Sequence, residues 1–307
     1  MSKTRFFLFC LFLVASLVWL LVFSLPDNYF HLVACDVGQG DGILAYYKDT
    51  QVLIDGGPTS KILDCLSSHM PFWDRKIELV VLTHPEKDHY GGLLEVFRRY
   101  KVDSFLVSSL DSSSQEYQLL KNQVGSGGVK VIFPDEGKFI RLGMMHFVIL
   151  HPSNQFLADN TLVKEKENDN QNISVLGART TKIQANEFSI NLILSFGEFD
   201  AWLSGDTTPA ISDEVKTSLE TALPTLEDGL VEYIKVPHHG SKNGLTQDLL
   251  ELLKPKVAVI SVGKNSYGHP NPEILNMLSS FGVSVFRTDQ MGDVEVISDG
   301  KEWKIKR

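Results

Sequence analysis

The stretch that decides the fold is IELVVLT at 77–83, followed without a break by HPEKDH at 84–89 and YGG at 90–92. The first run is apolar and β-branched, and predicts a buried strand. Gly91-Gly92 then open an amphipathic helix, LLEVFRRY. Between the two lie two imidazoles and two carboxylates within six residues. A divalent cation gathers N and O donors at about 2.0–2.2 Å. Crowding such groups at the end of a buried strand costs free energy unless cations occupy the site. A lone histidine there would be an ordinary core or surface residue, whereas His84, Glu86, Asp88 and His89 together point to a metal centre.

Three further places supply side chains of the same kind. His238-His239-Gly240-Ser241 follows a second apolar strand, although spacing alone leaves open which imidazole binds. Asp206 ends the apolar run DAWLSGD, where it is placed to bridge two metals; Pro209 also permits the plainer reading of a helix cap. His151 closes MMHFVIL and is a fourth candidate. The order strand, His-rich loop with glycine, helix occurs twice, at 77–97 and 231–253. Two such halves facing each other would bring both loops to one rim.

Around these motifs the sequence predicts strands at 30–36, 43–48, 51–55, 104–108, 129–133, 145–150, 188–195 and 200–204. Helices are predicted near 59–68, from Pro209, and at LTQDLLELL and EILNMLSS. Strands mixed with helices in both halves imply an α/β layered domain. The polar stretch 158–172 reads as a solvated loop, and no linker divides 27–307. Residues 6–25 carry no charge and follow Lys3 and Arg5. This predicts a single-pass anchor over 1–26, N-terminus cytoplasmic and the rest outside. The alternative is a signal peptide cleaved to release a secreted chain, although FSLPDN is a poor cleavage site.

The 307 residues are 43% hydrophobic and 22% charged, which excludes a disordered chain. The net charge of −9 gives no general attraction to nucleic acid, so DNA binding would need metal ions or local cations such as Lys242 and Lys264, themselves ordinarily plain surface residues. Three cysteines exclude a disulfide scaffold and a Cys-rich zinc finger; Cys35 and Cys65 could bridge, but their apolar contexts read at least as well as two buried free thiols. VGQGDG at 37–42 is not the dinucleotide-binding glycine pattern and reads better as a tight turn that places Asp41.

Taken in order, DVGQGDG, LIDGG, HPEKDH, SGD, KVPHHGS, SVGKNSYGHP and TDQMGDVEV resemble the metallo-β-lactamase fold, and more narrowly the exported domain of the ComEC/Rec2 competence proteins, over about 35–296. The resemblance implies an αββα sandwich with two divalent ions, Zn²⁺ or Mn²⁺, at one edge. Carried over, His84 and Glu86 belong to one metal, with His151 as its remaining ligand. Asp88 and His89 belong to the other, which His238 or His239 completes, and Asp206 bridges the two. Asp36, Gln39, Asp41 and Asp55 would shape the floor, with Tyr267 and His269 near the mouth. Glu86 departs from the family's histidine and from the aspartate usual in competence relatives; an oxygen-rich site tilts preference toward Mn²⁺. Competence proteins also carry a multi-helix channel, so a separate channel protein is the expected partner.

Two metals of this kind activate a water for hydrolysis, with Asp88, His239 or His269 handling the proton. The expected activity is phosphodiester hydrolysis, on single-stranded DNA, in a competence context. Hydrolysis of small phosphoryl or acyl esters, or a non-catalytic binding module, are the alternatives.

Overall fold

The apolar run of the opening motif is the strand Lys76–Leu82, and it is buried on both faces. Leu79 and Val81 enter the core between two sheets, while Ile77, Val80 and Leu82 pack under helices. That double burial is why the run is nearly continuous rather than alternating. In the computed structural model, residues 3–23, 26–108, 110–163 and 179–306 are described.

The first sheet runs Trp303–Lys306, Val294–Ser298, Phe30–Ala34, Ile43–Tyr47, Thr50–Ile54, Lys76–Leu82, Lys101–Val107, Lys130–Ile132 in spatial order. The second runs Ser284–Arg287, Val257–Ile260, Tyr233–Lys235, Phe199–Leu203, Asn191–Phe196, Met145–His151, Phe139–Leu142. One core joins them, with Leu32, Val52 and Val81 facing Phe147, Leu194 and Val259. The outer face of the first sheet is covered by helices Ile62–His69, Leu93–Arg99 and Gln115–Ser126. The outer face of the second is covered by Ser212–Ala222, Gln247–Leu253 and Pro272–Ser280. The layers are therefore α, β, β, α.

In each sheet the parallel strands end on the same kind of loop. Lys76–Leu82 lies parallel to both of its neighbours, and Tyr233–Lys235 does the same in the second sheet. Cys35 and Cys65 form a disulfide, Cα atoms 5.8 Å apart, which ties the loop after Phe30–Ala34 to helix Ile62–His69.

Two expectations change. The stretch read as a loop at 158–172 begins inside helix Asn154–Asn160 and strand Thr161–Val163; its remainder lies outside the described residues. At the N-terminus a helix forms over Lys3–Phe23. Among the described residues no helix is long and apolar enough to cross a membrane. This corrects the expectation of a single-pass membrane protein.

Candidate metal centre

Each half delivers its ligand-type side chains from loops at strand ends. After Lys76–Leu82 the chain turns through His84 and Glu86 into the short helix Lys87–Tyr90, which carries Asp88 and His89. After Phe199–Leu203 it turns through Gly205, at φ +50°, to Asp206. After Tyr233–Lys235, His238 and His239 both adopt left-handed backbone at φ +51° and +54°. That conformation is costly for a non-glycine residue and clusters at functional sites. Gly40 also has positive φ, and a Cβ there would collide with the Asp88 carbonyl. The glycine thus lets the 36–42 loop reach the metal loop, where Asp41 N donates to that carbonyl at 3.1 Å.

The ligand atoms of Asp88, His89, Asp206 and His239 lie within 4.8 Å of one another. The His89 and His84 rings are 4.1 Å apart. Each histidine is held from behind. His89 Nδ1 donates to Asp55 Oδ2 at 2.8 Å, and the same carboxylate accepts from Thr83 Oγ1 and Thr83 N, both at 2.8 Å. His239 Nδ1 donates to the Ser261 carbonyl at 2.9 Å. With its hydroxyl proton given to Asp55, Thr83 Oγ1 is left to accept from His84 Nδ1 at 3.1 Å. All three Nε2 atoms are buried and make no hydrogen bond. Asp206 oxygens stand 3.4 Å from His89 Nε2 and 3.5 Å from His239 Nε2. Three imidazoles fixed through Nδ1, two of them with unpaired Nε2 atoms converging on the Asp206 carboxylate, fit a divalent metal centre with its outer hydrogen bonds in place.

The charges are mutually dependent. Burial disfavours the charged forms of His89 and His239, but Asp206 and its neighbouring carboxylates outweigh it. His89 is held well above the usual range and His239 at about 10. Asp206 and Asp88 are lowered against their own burial by the same histidines. His84 is pushed down to about 3 by burial and then by His89, so its Nε2 lone pair stays free. Glu86 is raised by burial and by the nearby Asp88 and Asp206.

The other expected residues fall into place around this group or away from it. Glu86 lines the cleft above it. Of the adjacent pair it is His239, not His238, whose ligand atom joins the group; His238 Nε2 stands 3.8 Å from Asp206 and its ring faces His269 at 5.8 Å. His151 is not brought to the group: its Nε2 donates to the Glu187 carbonyl at 2.8 Å and its Nδ1 lies 3.3 Å from Glu214. Asp41 stands 3.3 Å from His239 Nδ1, and Gln39 accepts from Gly263 N. Asp36 accepts from Gly38 N.

Lys235 was not anticipated. It is 0% exposed, donates to the Gly205 carbonyl at 2.8 Å, pairs with Asp41 and stands 3.5 Å from Asp206. Its one sequence signal is a lysine closing a buried strand directly before VPHHG.

The group opens into a cleft of about 980 Å³ whose rim carries Lys61, Lys87, Lys264, Tyr267 and His269. No family model matches the chain. Two solved structures of low sequence identity match its architecture. The metallo-β-lactamase fold protein YhfI from Bacillus subtilis has a TM-score of 0.52 and 10% identity, over 87% of this chain and 99% of its own. CmlA, a diiron β-hydroxylase from Streptomyces venezuelae, has a TM-score of 0.52 and 16% identity, over 92% and 54%. The chain has a metallo-β-lactamase fold. By sequence it is similar to ComE operon protein 3 of Bacillus subtilis, 25% identical over 285 residues, 85% of this chain and 32% of that protein. It is also similar to Recombination protein 2 of Haemophilus influenzae, 24% identical over 266 residues, 85% and 28%. The chain thus spans about a third of the length of these ComEC/Rec2-like competence relatives.

Proposed function

We propose that this metallo-β-lactamase-fold chain is a metal-dependent hydrolase of phosphodiester bonds, with single-stranded DNA as substrate in a competence setting. The observation that carries the reading is the convergence of Asp88, His89, Asp206 and His239, with unpaired Nε2 atoms, at the floor of a wide cleft. The similarity to competence proteins supports the choice of substrate. The cleft supports it too, because the rim lysines place positive charge beside the site in a chain of net charge −9. Tyr267, 74% exposed and 5.7 Å from the His269 ring, offers an aromatic face on which a base can stack.

Divalent ions held here would supply a water of lowered pKa and positive charge against the phosphoryl oxygens. His89 and His239 would hold the ions together with Asp206, whose two oxygens lie toward their Nε2 atoms. Asp55 and the Ser261 carbonyl keep both rings aimed inward. Burial lowers His238 and His269, leaving each an acceptor nitrogen at neutral pH that can take up a proton beside the cleft. Lys235 neutralises Asp41 and Asp206 from below. Translocation is assigned to a separate multi-helix channel protein as partner.

The test is metal analysis of the purified chain, followed by assays with Mn²⁺ or Zn²⁺ on single-stranded DNA and on bis-p-nitrophenyl phosphate. Two bound metals with DNA cleavage support the proposal. Turnover of the small ester alone would replace it with a small-ester hydrolase, and absence of metal with a binding module. Asp206→Ala is expected to cut turnover by on the order of 10³-fold with unchanged circular dichroism; an unchanged rate removes Asp206 from the mechanism.

A further inference from the structure

We propose a second cation site, remote from the cleft, in which Asp200, Asp228 and Glu232 bind a calcium ion. One ligand oxygen of each lies within 4.8 Å of the others. Asp200 stands near the start of strand Phe199–Leu203, and Asp206 follows its far end. The extended residues 200–203, at about 3.3 Å each, put roughly 10 Å of strand between the two sites before the chain turns to Asp206.

The cluster contains an oxygen that wants a partner. Asp200 is 0% exposed; its Oδ1 accepts from the Ser195 hydroxyl, and its Oδ2 has no hydrogen-bond partner. A carboxylate oxygen buried without a donor is costly, and natural folds rarely leave one. The surroundings worsen this rather than relieve it. Burial first, then Glu232, Asp228 and Glu227, push the Asp200 carboxyl up to about 7. Glu232 is also buried, with Oε2 accepting from Asp200 N at 3.3 Å and Oε1 from Lys256 Nζ at 3.2 Å. Lys256 is more than half exposed and touches only this one carboxylate of the cluster. Asp228 approaches from an exposed loop, its Oδ1 accepting from Leu230 N at 2.9 Å. A cation among these oxygens would satisfy the orphan and offset the repulsion together.

The donor set selects the ion. Three carboxylates without histidine or cysteine favour a hard cation. One ligand on an exposed loop suits Ca²⁺, which accepts irregular coordination at about 2.3–2.6 Å, better than Mg²⁺, which demands a near-ideal octahedron.

The experiment is thermal unfolding of the full chain, dialysed free of calcium with EGTA, before and after adding CaCl₂ at about ten times its binding constant. Tm is expected to rise by about 3 °C. Asp228→Asn, on the exposed loop, is expected to fold normally and lose this rise. Asp200→Asn, of the same shape, is expected to show a higher calcium-free Tm and no rise. Asp206→Asn, altered in the cleft, is expected to keep it. No rise in the wild type, or an equal rise in Asp228→Asn, overturns the site. A rise lost in Asp206→Asn but kept in Asp228→Asn places the calcium in the cleft and overturns it as well.

Discussion

Asp55 shows how much of the metal centre is decided one layer behind its ligands. Its two oxygens accept three hydrogen bonds, two from Thr83 and one from His89, and the residue holds a left-handed φ of +59° to do so. Burial raises its carboxyl even though His89 pulls the other way, so ionisation of Asp55 depends on the imidazole that it orients. Asp55→Asn keeps the shape and removes the charge. Metal affinity is expected to fall about 10–100-fold, read by competition with a chromophoric chelator; unchanged affinity would show that Asp55 does not orient His89. The first ligand loop is legible in the sequence because four ligand-type side chains crowd six positions at a strand end. The choice between His238 and His239 is not, because it turns on two consecutive left-handed residues that no spacing reveals. Lys235 escapes for a related reason. A single lysine in a short strand carries no pattern, and only folding places it against Asp41 and Asp206.

At the scale of elements, apolar runs buried on two faces were the readable ones, and weakly amphipathic or edge elements were not. Helix Gln115–Ser126 has no strong apolar stripe, burying mainly Tyr117, Leu120 and Val124. Strand Phe139–Leu142 is a half-exposed edge. Neither stands out from the surrounding polar sequence. Elements are also locked by polar contacts between distant segments. Glu295, on strand Val294–Ser298, accepts from His31 Nδ1 at 2.6 Å and from Lys306 Nζ at 3.1 Å, with His69 at 3.7 Å. Burial opposes its ionisation, but His31 and Lys306 outweigh burial and lower its pKa. A lowered carboxylate pKa contributes stability that is present above the ordinary glutamate value, about 4.3, and lost as pH falls through the folded value. Glu295→Gln is therefore expected to cost about 1–3 kcal/mol at pH 7, and progressively less toward pH 3. Urea unfolding across that range checks it, and a cost independent of pH would show that packing, not charge, is at stake.

For the molecule as a whole, the important fact is that neither sheet owns the metal centre. His84, Asp88 and His89 come from the first sheet, Asp206 and His239 from the second. The apolar core between the sheets, together with buried contacts such as Lys235–Asp41, holds the two sets in register. Sequence periodicity carries each half, but not the facing of one half on the other, which depends on how Phe147, Leu192 and Leu194 meet Leu32, Ala45 and Val52. A metal bound by both halves must stabilise their contact, because unfolding destroys the site and the bound form is favoured by mass action. The metal-loaded chain is expected to lose roughly 5–10 °C in Tm when stripped with 1,10-phenanthroline, which removes Zn²⁺ or Mn²⁺ and spares calcium. Asp206→Ala, lacking the carboxylate between His89 and His239, should show little of that loss. If the wild type and the variant lost the same amount, the metal would be held by one half alone, and the bridging role of Asp206 would have to be abandoned.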